Sequence, residues 1–229
     1  MKPIAIFYHC LFQIGDEILN SAIEVVSEQM KALKDAGLVD AASEMFAGVN
    51  GGHESRVFVE SILPAKVKAT YHGLESRNEN LTIVMLEEWL KEHNDWHVLY
   101  FHSKGSTHGP GDPLHILGAN WRRCLMRGVV DNWKTCVADL ESGYDSVGSH
   151  WMPGMCDGTQ NIWAGNFWWA TSNFLRTVPS IYLRDRIKVS GIKSMESRYE
   201  SEVWLGNAPR LPRVKDYHPV LFNVHAHQP

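Results

Sequence analysis

An α/β fold built on a mainly parallel sheet is expected from three features of this chain. Short, wholly apolar runs such as 4–7 and 98–101 alternate with longer stretches of helical periodicity. Continuously apolar runs mark strands covered on both faces. The stretches between them are long enough to cross over the sheet as helices, as βαβ units require. Right-handed crossovers then place ligand sites beyond the carboxyl ends of the strands.

The elements follow in order. Residues 3–9 form a buried first strand. Asp16 can cap a helix over 17–35, where Ile18, Leu19, Ala22, Ile23, Val26, Met30 and Leu33 share one side. A second strand over 43–49 ends at Asn50-Gly51-Gly52, and a third covers 67–71. A helix begins near Asn80 and carries Leu81, Val84, Leu86, Trp89 and Leu90. The fourth strand spans 96–101.

The second half differs in texture. One long helix over 118–141 presents Trp121, Leu125, Met126, Val129, Val130, Trp133, Val137 and Leu140. Residues 144–149 and 167–170 are expected as strands of a small mixed sheet, with a Gly-rich loop over 151–165 between them. Short helices follow over 171–177 and 196–205, and the proline-punctuated tail from 209 packs as an extended strap. The 229 residues show no repeat, low-complexity segment or linker, so one domain is expected over 1–229. Its nucleotide-binding half covers about 1–110 and its acceptor-side half about 111–229.

Composition narrows the function classes. A hydrophobic content of 44% with 21% charged residues is that of an ordinary globular protein. The net charge of -4, without a long charge run, argues against a nucleic-acid partner. The apolar run at 4–7 is too short for a signal peptide or a membrane span. Cys10, Cys124, Cys136 and Cys156 show no CxxC spacing, as expected for reduced thiols in a cytoplasmic protein.

Tryptophan is over-represented, with nine copies, and Trp168 and Trp169 are adjacent after Gly165-Asn166. Indole offers a flat apolar face and one N–H donor, which suits a sugar ring. Gly165 would let backbone approach a ligand, and Asn166 offers a donor and an acceptor. The same residues also fit a buried aromatic strand.

The fourth strand runs into His102-Ser103-Lys104-Gly105-Ser106-Thr107-His108-Gly109, at the ligand edge of such a sheet. Hydroxyls, a lysine and Gly-rich backbone suit an anionic ligand such as a diphosphate. A solvated loop is the plainer alternative. The P-loop pattern is missing, and no GxGxxG follows the first strand. Arg122 or Arg123 could turn back toward a phosphate. Glu200 and Glu202 fall on different sides of a helix, so one of them faces a cleft as a candidate general base. His218, His225 and His227 lie in the tail, where a structural or solvent role is the simpler reading.

Five blocks in order carry a resemblance. They are Trp96-His97-Val98-Leu99-Tyr100-Phe101-His102-Ser103-Lys104-Gly105, Asn120-Trp121-Arg122-Arg123, Gly143-Tyr144-Asp145-Ser146-Val147-Gly148, Ala164-Gly165-Asn166-Phe167-Trp168-Trp169-Ala170, and Arg198-Tyr199-Glu200-Ser201-Glu202-Val203-Trp204-Leu205-Gly206. Over about 80–206 the series resembles small bacterial and viral proteins related to GT-A glycosyltransferases. The resemblance implies a GT-A-like, Rossmann-like twisted sheet flanked by helices. It also implies transfer of a sugar from a nucleotide-sugar co-substrate to a hydroxyl of a glycan or glycoconjugate.

The same resemblance implies the site residues. His102-Ser103-Lys104 stands where most such enzymes carry Asp-x-Asp to hold a divalent Mn or Mg ion. With those acids absent, Lys104 with Arg122 or Arg123 would neutralise the departing diphosphate. Gly165, Asn166, Trp168 and Trp169 take the acceptor side. Glu202, or else Glu200, falls at the acidic motif that supplies the base. Tyr8, His9 and Asn50 would hold the nucleoside by position, with Asn78 and Asn80 as base or ribose contacts. A noncatalytic carbohydrate- or nucleotide-binding module is the alternative, and a metallohydrolase fits least because HExxH is absent.

Overall fold

The computed structural model describes residues 1–12, 16–73, 79–154, 160–182 and 200–217. The first strand, β1 (Ile4–Leu11), is followed by α1 (Asp16–Asp35), the single turn α2 (Leu38–Ala41) and β2 (Glu44–Asn50). Helix α3 (His53–Ile62), β3 (Val67–His72), α4 (Asn80–Leu90) and β4 (His97–His102) complete the first half. Next come α5 (Leu114–Met126), a π-helical turn (Arg127–Asp131), α6 (Trp133–Glu141) and β5 (Ser146–Gly148). The hairpin strands β6 (Trp151–Gly154) and β7 (Gln160–Trp163) lead to β8 (Trp168–Thr171), α7 (Ser172–Leu175), α8 (Glu200–Trp204) and β9 (Val214–Asp216).

Among the described residues the main sheet has seven strands in the order β3-β2-β1-β4-β8-β5-β9. β3, β2, β1 and β4 are mutually parallel. β8 is antiparallel to both β4 and β5, and β9 runs parallel to β5. The chain steps outward from β1 to β3 and returns to set β4 on the other side of β1. The β1–β4 boundary is therefore a topological switch point, the place where open α/β sheets bind ligands beyond the strand ends.

Strand alternation divides the core in two. Ile6, Tyr8, Cys10, Leu99, Phe101 and Trp169 pack with Ala22, Val26 and Met30 of α1 and with Leu125, Val129 and Val137 beyond it. Ala5, Phe7, Val98, Tyr100 and Trp168 pack on the other face with Ile83, Leu86 and Leu90 of α4 and with Trp204. Both faces are dry, which is why these strands are continuously apolar.

Four expectations change. Residues 53–62 are helical, with Ser55 and Val59 buried and Phe58 and Ile62 packed against the core at helical spacing. The long helix over 118–141 is interrupted by the π-helical turn, where a Cβ on Gly128 would lie 1.9 Å from Ser149 Oγ. The loop over 151–165 contains the β6–β7 hairpin, in which Trp151 pairs with Trp163. The tail strap pairs through β9, anchored where Asp216 accepts the backbone N–H groups of His150 and Trp151 at 2.9 Å each. Residues 218–229, with His218, His225 and His227, and also Cys156, lie outside the described residues.

Candidate active site at the carboxyl edge of the sheet

The parallel strands end in polar residues on the face covered by α4. His9 pairs in register with His102 across β1 and β4, and Asn50 pairs with His72 across β2 and β3. Gly48 between them lets α4 come close, since a Cβ there would stand 2.0 Å from Thr82 Oγ1. That hydroxyl lies 2.8 Å from His9 Nδ1. His9 is buried, and burial pushes its pKa down to about 4, against the opposing charge of Glu79. Its ring is thus neutral at physiological pH, and Nε2 has no hydrogen-bond partner among the described residues. Burial also lowers His72.

The sequence did not single out Glu79, at the start of α4, yet three side chains from two other segments meet on it. Its Oε2 accepts the Tyr100 hydroxyl and the Asn166 amide, each at 2.8 Å. Its Oε1 stands 3.4 Å from His102 Nδ1. His102 Nε2 lies 2.9 Å from the Gly165 carbonyl. Burial, then the charge of Glu79 and more weakly that of Glu202, hold Tyr100 well above its usual range. Glu202 on α8 is therefore within electrostatic reach of the Tyr100 hydroxyl. Asn78 and the side chain of Glu200 lie outside the described residues.

The acceptor-side block does something other than expected. Trp168 and Trp169 are 1% and 0% exposed and point into opposite cores, so neither forms an open wall for a sugar. Trp168 stacks on Tyr100 with ring centroids 5.1 Å apart and donates to Asn166 Oδ1 at 2.8 Å. Trp169 donates to the Val129 carbonyl at 2.7 Å, inside the π-helical turn. The plainer reading, a buried aromatic strand, is correct because both sheet faces are covered. Gly165 and Asn166 have positive φ, 80° and 56°. A Cβ at Gly165 would meet Leu125 Cδ1 at 2.6 Å, so packing requires this glycine.

The loop after β4 is built from the other face. Ser103 Oγ accepts the Leu11 backbone N–H at 2.9 Å, and Ser106 Oγ donates to the Leu11 carbonyl at 3.1 Å, closing the loop over the end of β1. Gln29 donates to the His102 carbonyl at 2.9 Å and accepts the Tyr8 hydroxyl at 2.7 Å. Tyr8 therefore belongs to the α1 core and does not face a donor. Arg122 is buried, donating to the Lys104 carbonyl at 2.9 Å and to Glu28 at 2.6 Å. It braces the loop, and Arg123 joins the same Glu28 at 3.3 Å. Lys104 and the stretch beyond it remain partly exposed after the end of β4.

The described residues at this edge do not fit a divalent cation. Lys104 brings positive charge, and both His102 nitrogens face protein oxygens. Among the described residues, no three His, Cys, Asp or Glu side chains gather as a ligand set. No described helix is long and apolar enough to cross a membrane.

Among solved structures, 4-diphosphocytidyl-2C-methyl-D-erythritol synthase from Anaerococcus prevotii is similar, with a TM-score of 0.43 and 11% identity over 95% of this chain and 87% of that one. A mycobacterial protein is similar with a TM-score of 0.41 and 14% identity over 78% of this chain, which spans 56% of that protein. A second 4-diphosphocytidyl-2C-methyl-D-erythritol synthase gives 0.37 and 9% over 77% of this chain and 78% of that one. No curated protein sequence matches. The family described as "Domain of unknown function (DUF8361)" matches residues 7–213, and the chain belongs to that family.

Proposed function

We propose that the chain is a glycosyltransferase that moves a sugar from a nucleotide sugar to a hydroxyl of a glycan or glycoconjugate. One observation carries the reading: a cation-bearing loop and a carboxylate both approach β4. Lys104 leaves the end of β4, and the charge of Glu202 is felt at Tyr100 in that strand. The order of sequence blocks that resembles GT-A glycosyltransferases supports it.

Residues 1–110 provide the nucleotide-binding half, with the loop from His102 to Lys104 facing the donor. Residues 111–229 provide the acceptor half, in one domain. The acceptor oxygen attacks the anomeric carbon as the bond to the diphosphate oxygen breaks. The electron pair leaves with the diphosphate, which Lys104 stabilises, and Glu202 takes the acceptor proton. Arg122 contributes by holding the Lys104 carbonyl.

The test is release of nucleoside diphosphate from UDP-, GDP-, CDP- and dTDP-sugars by the full chain in EDTA, in the presence of a glycan mixture. Release that Glu202→Gln lowers on the order of 100-fold supports the assignment. Binding of a nucleotide sugar with no release from any donor identifies the noncatalytic module instead.

A further inference from the structure

His102 faces an oxygen acceptor with each ring nitrogen. Nε2 lies 2.9 Å from the Gly165 carbonyl, and Nδ1 stands 3.4 Å from Glu79 Oε1. A neutral imidazole has one N–H and one lone pair. If Nε2 carried the single proton, the Nδ1 lone pair would confront a carboxylate oxygen. An imidazolium donates to both.

We propose that Glu79 is a positioning residue: it holds His102 as an imidazolium whose two N–H groups pin the end of β4, and the Lys104 loop leaving it, to the Gly165–Asn166 turn. The other oxygen of Glu79 accepts the Tyr100 hydroxyl and the Asn166 amide, which fixes the carboxylate beside His102. The Glu79 and His102 side chains are 12% and 13% exposed, so water does little to screen the pair.

The titratable groups around His102 agree with this charge. His9 lies opposite it on β1, with His72 beyond on β3, and each lowers the proton affinity of His9. His9 is fully buried and stays neutral, so it does not compete for Glu79. Tyr100, on the same strand, stays protonated, and Lys104 follows in the loop. Glu202 on α8 adds a second negative charge near Tyr100.

The charge on His102 is independent of what the enzyme transfers; only its use in turnover rests on the glycosyltransferase reading. The experiment is ¹⁵N NMR of the histidine ring nitrogens in the full-length protein at pH 7.5, with His102 assigned through its backbone. The expected result is two protonated ring nitrogens at His102 in the wild type. In Glu79→Gln the amide nitrogen can donate to Nδ1, and a single protonated nitrogen is expected there. One unprotonated ring nitrogen in the wild type overturns the proposal, whether or not the variant folds. Where transfer is measurable, Glu79→Gln is expected to move the alkaline limb of the kcat profile to lower pH, and an unmoved limb also overturns it. Absence of transfer with a doubly protonated His102 counts against the glycosyltransferase reading alone.

Discussion

Asn166 sits in the left-handed region at φ 56° and donates its amide to Glu79 at 2.8 Å, tying the turn before β8 to the start of α4. The same side chain accepts the Trp168 indole N–H at 2.8 Å. One asparagine thus supplies the backbone conformation, a donor to a carboxylate and an acceptor for a buried indole.

Asn166→Ala is expected to destabilise the fold by about 3 kcal/mol. It adds left-handed strain of about 1 kcal/mol and leaves two buried polar groups short of a partner. Asn166→Gly keeps the hydrogen-bond loss and removes the strain, so it should be milder. Urea unfolding of both variants checks the order, and an alanine variant as stable as the glycine one speaks against strain at this position.

The approach of α4 to β2 makes a second case. Gly48→Ala places a Cβ 2.0 Å from Thr82 Oγ1, and overpacking of this kind costs about 1–3 kcal/mol. Thr82→Ala alone removes the contact to His9 Nδ1. The double variant is expected to be more stable than the sum of the singles implies, because the worst contact goes with the hydroxyl and leaves Thr82 Cβ at 3.1 Å. Strict additivity in denaturant titrations contradicts this packing.

Trp169→Phe keeps most of the ring and deletes the donor to the Val129 carbonyl. A loss of about 1–3 kcal/mol is expected in thermal or urea unfolding, from one unsatisfied buried acceptor. Donor and acceptor KM should stay within about twofold, since the ring is 0% exposed. A large rise in acceptor KM with unchanged stability would restore Trp169 to the ligand.

The physical reasons for what could be inferred from residue order are specific. The runs at β1 and β4 are unmistakable because both faces are covered and Ile4 to Tyr8 and Val98 to Phe101 are unbroken by a charged side chain. That same double covering makes Trp168-Trp169 ambiguous, since a ligand wall and a two-sided core strand share one composition. The start of α4 was found, but Glu79 beside it was not. Its partners Tyr100 and Asn166 lie 21 and 87 positions away, and no local pattern reports such a contact. Arg122 was expected at a phosphate because basic residues near a ligand edge suggest it. Glu28, 94 positions earlier, turns it inward instead. Helix α3 was missed although Phe58, Val59 and Ile62 stand at helical spacing, and the strands of the β6–β7 hairpin are too short, at four residues each, for alternation to be read.

His9 sets an acid limb of stability. Its pKa is about 4 when folded, against the ordinary 6.5. Between those values the unfolded chain holds a proton that the folded chain does not, so stability rises with pH through this window. It is lost as pH falls from 6.5 to 4 and levels off below. The contribution is on the order of 3 kcal/mol. His72 and His97, both lowered by burial, act in the same direction. His9→Gln should flatten the slope of unfolding free energy against pH, and an unchanged slope would remove His9 as its source.

The decisive measurement is thermal unfolding of the full chain with UDP, GDP, CDP and dTDP, each in EDTA and in manganese. A ligand bound only by the folded state raises its apparent stability. A rise with one nucleotide in EDTA, reduced by Lys104→Ala, is the expected result for a donor site built without a metal. A rise only in manganese contradicts the metal-free site, and no rise with any nucleotide contradicts the donor reading itself.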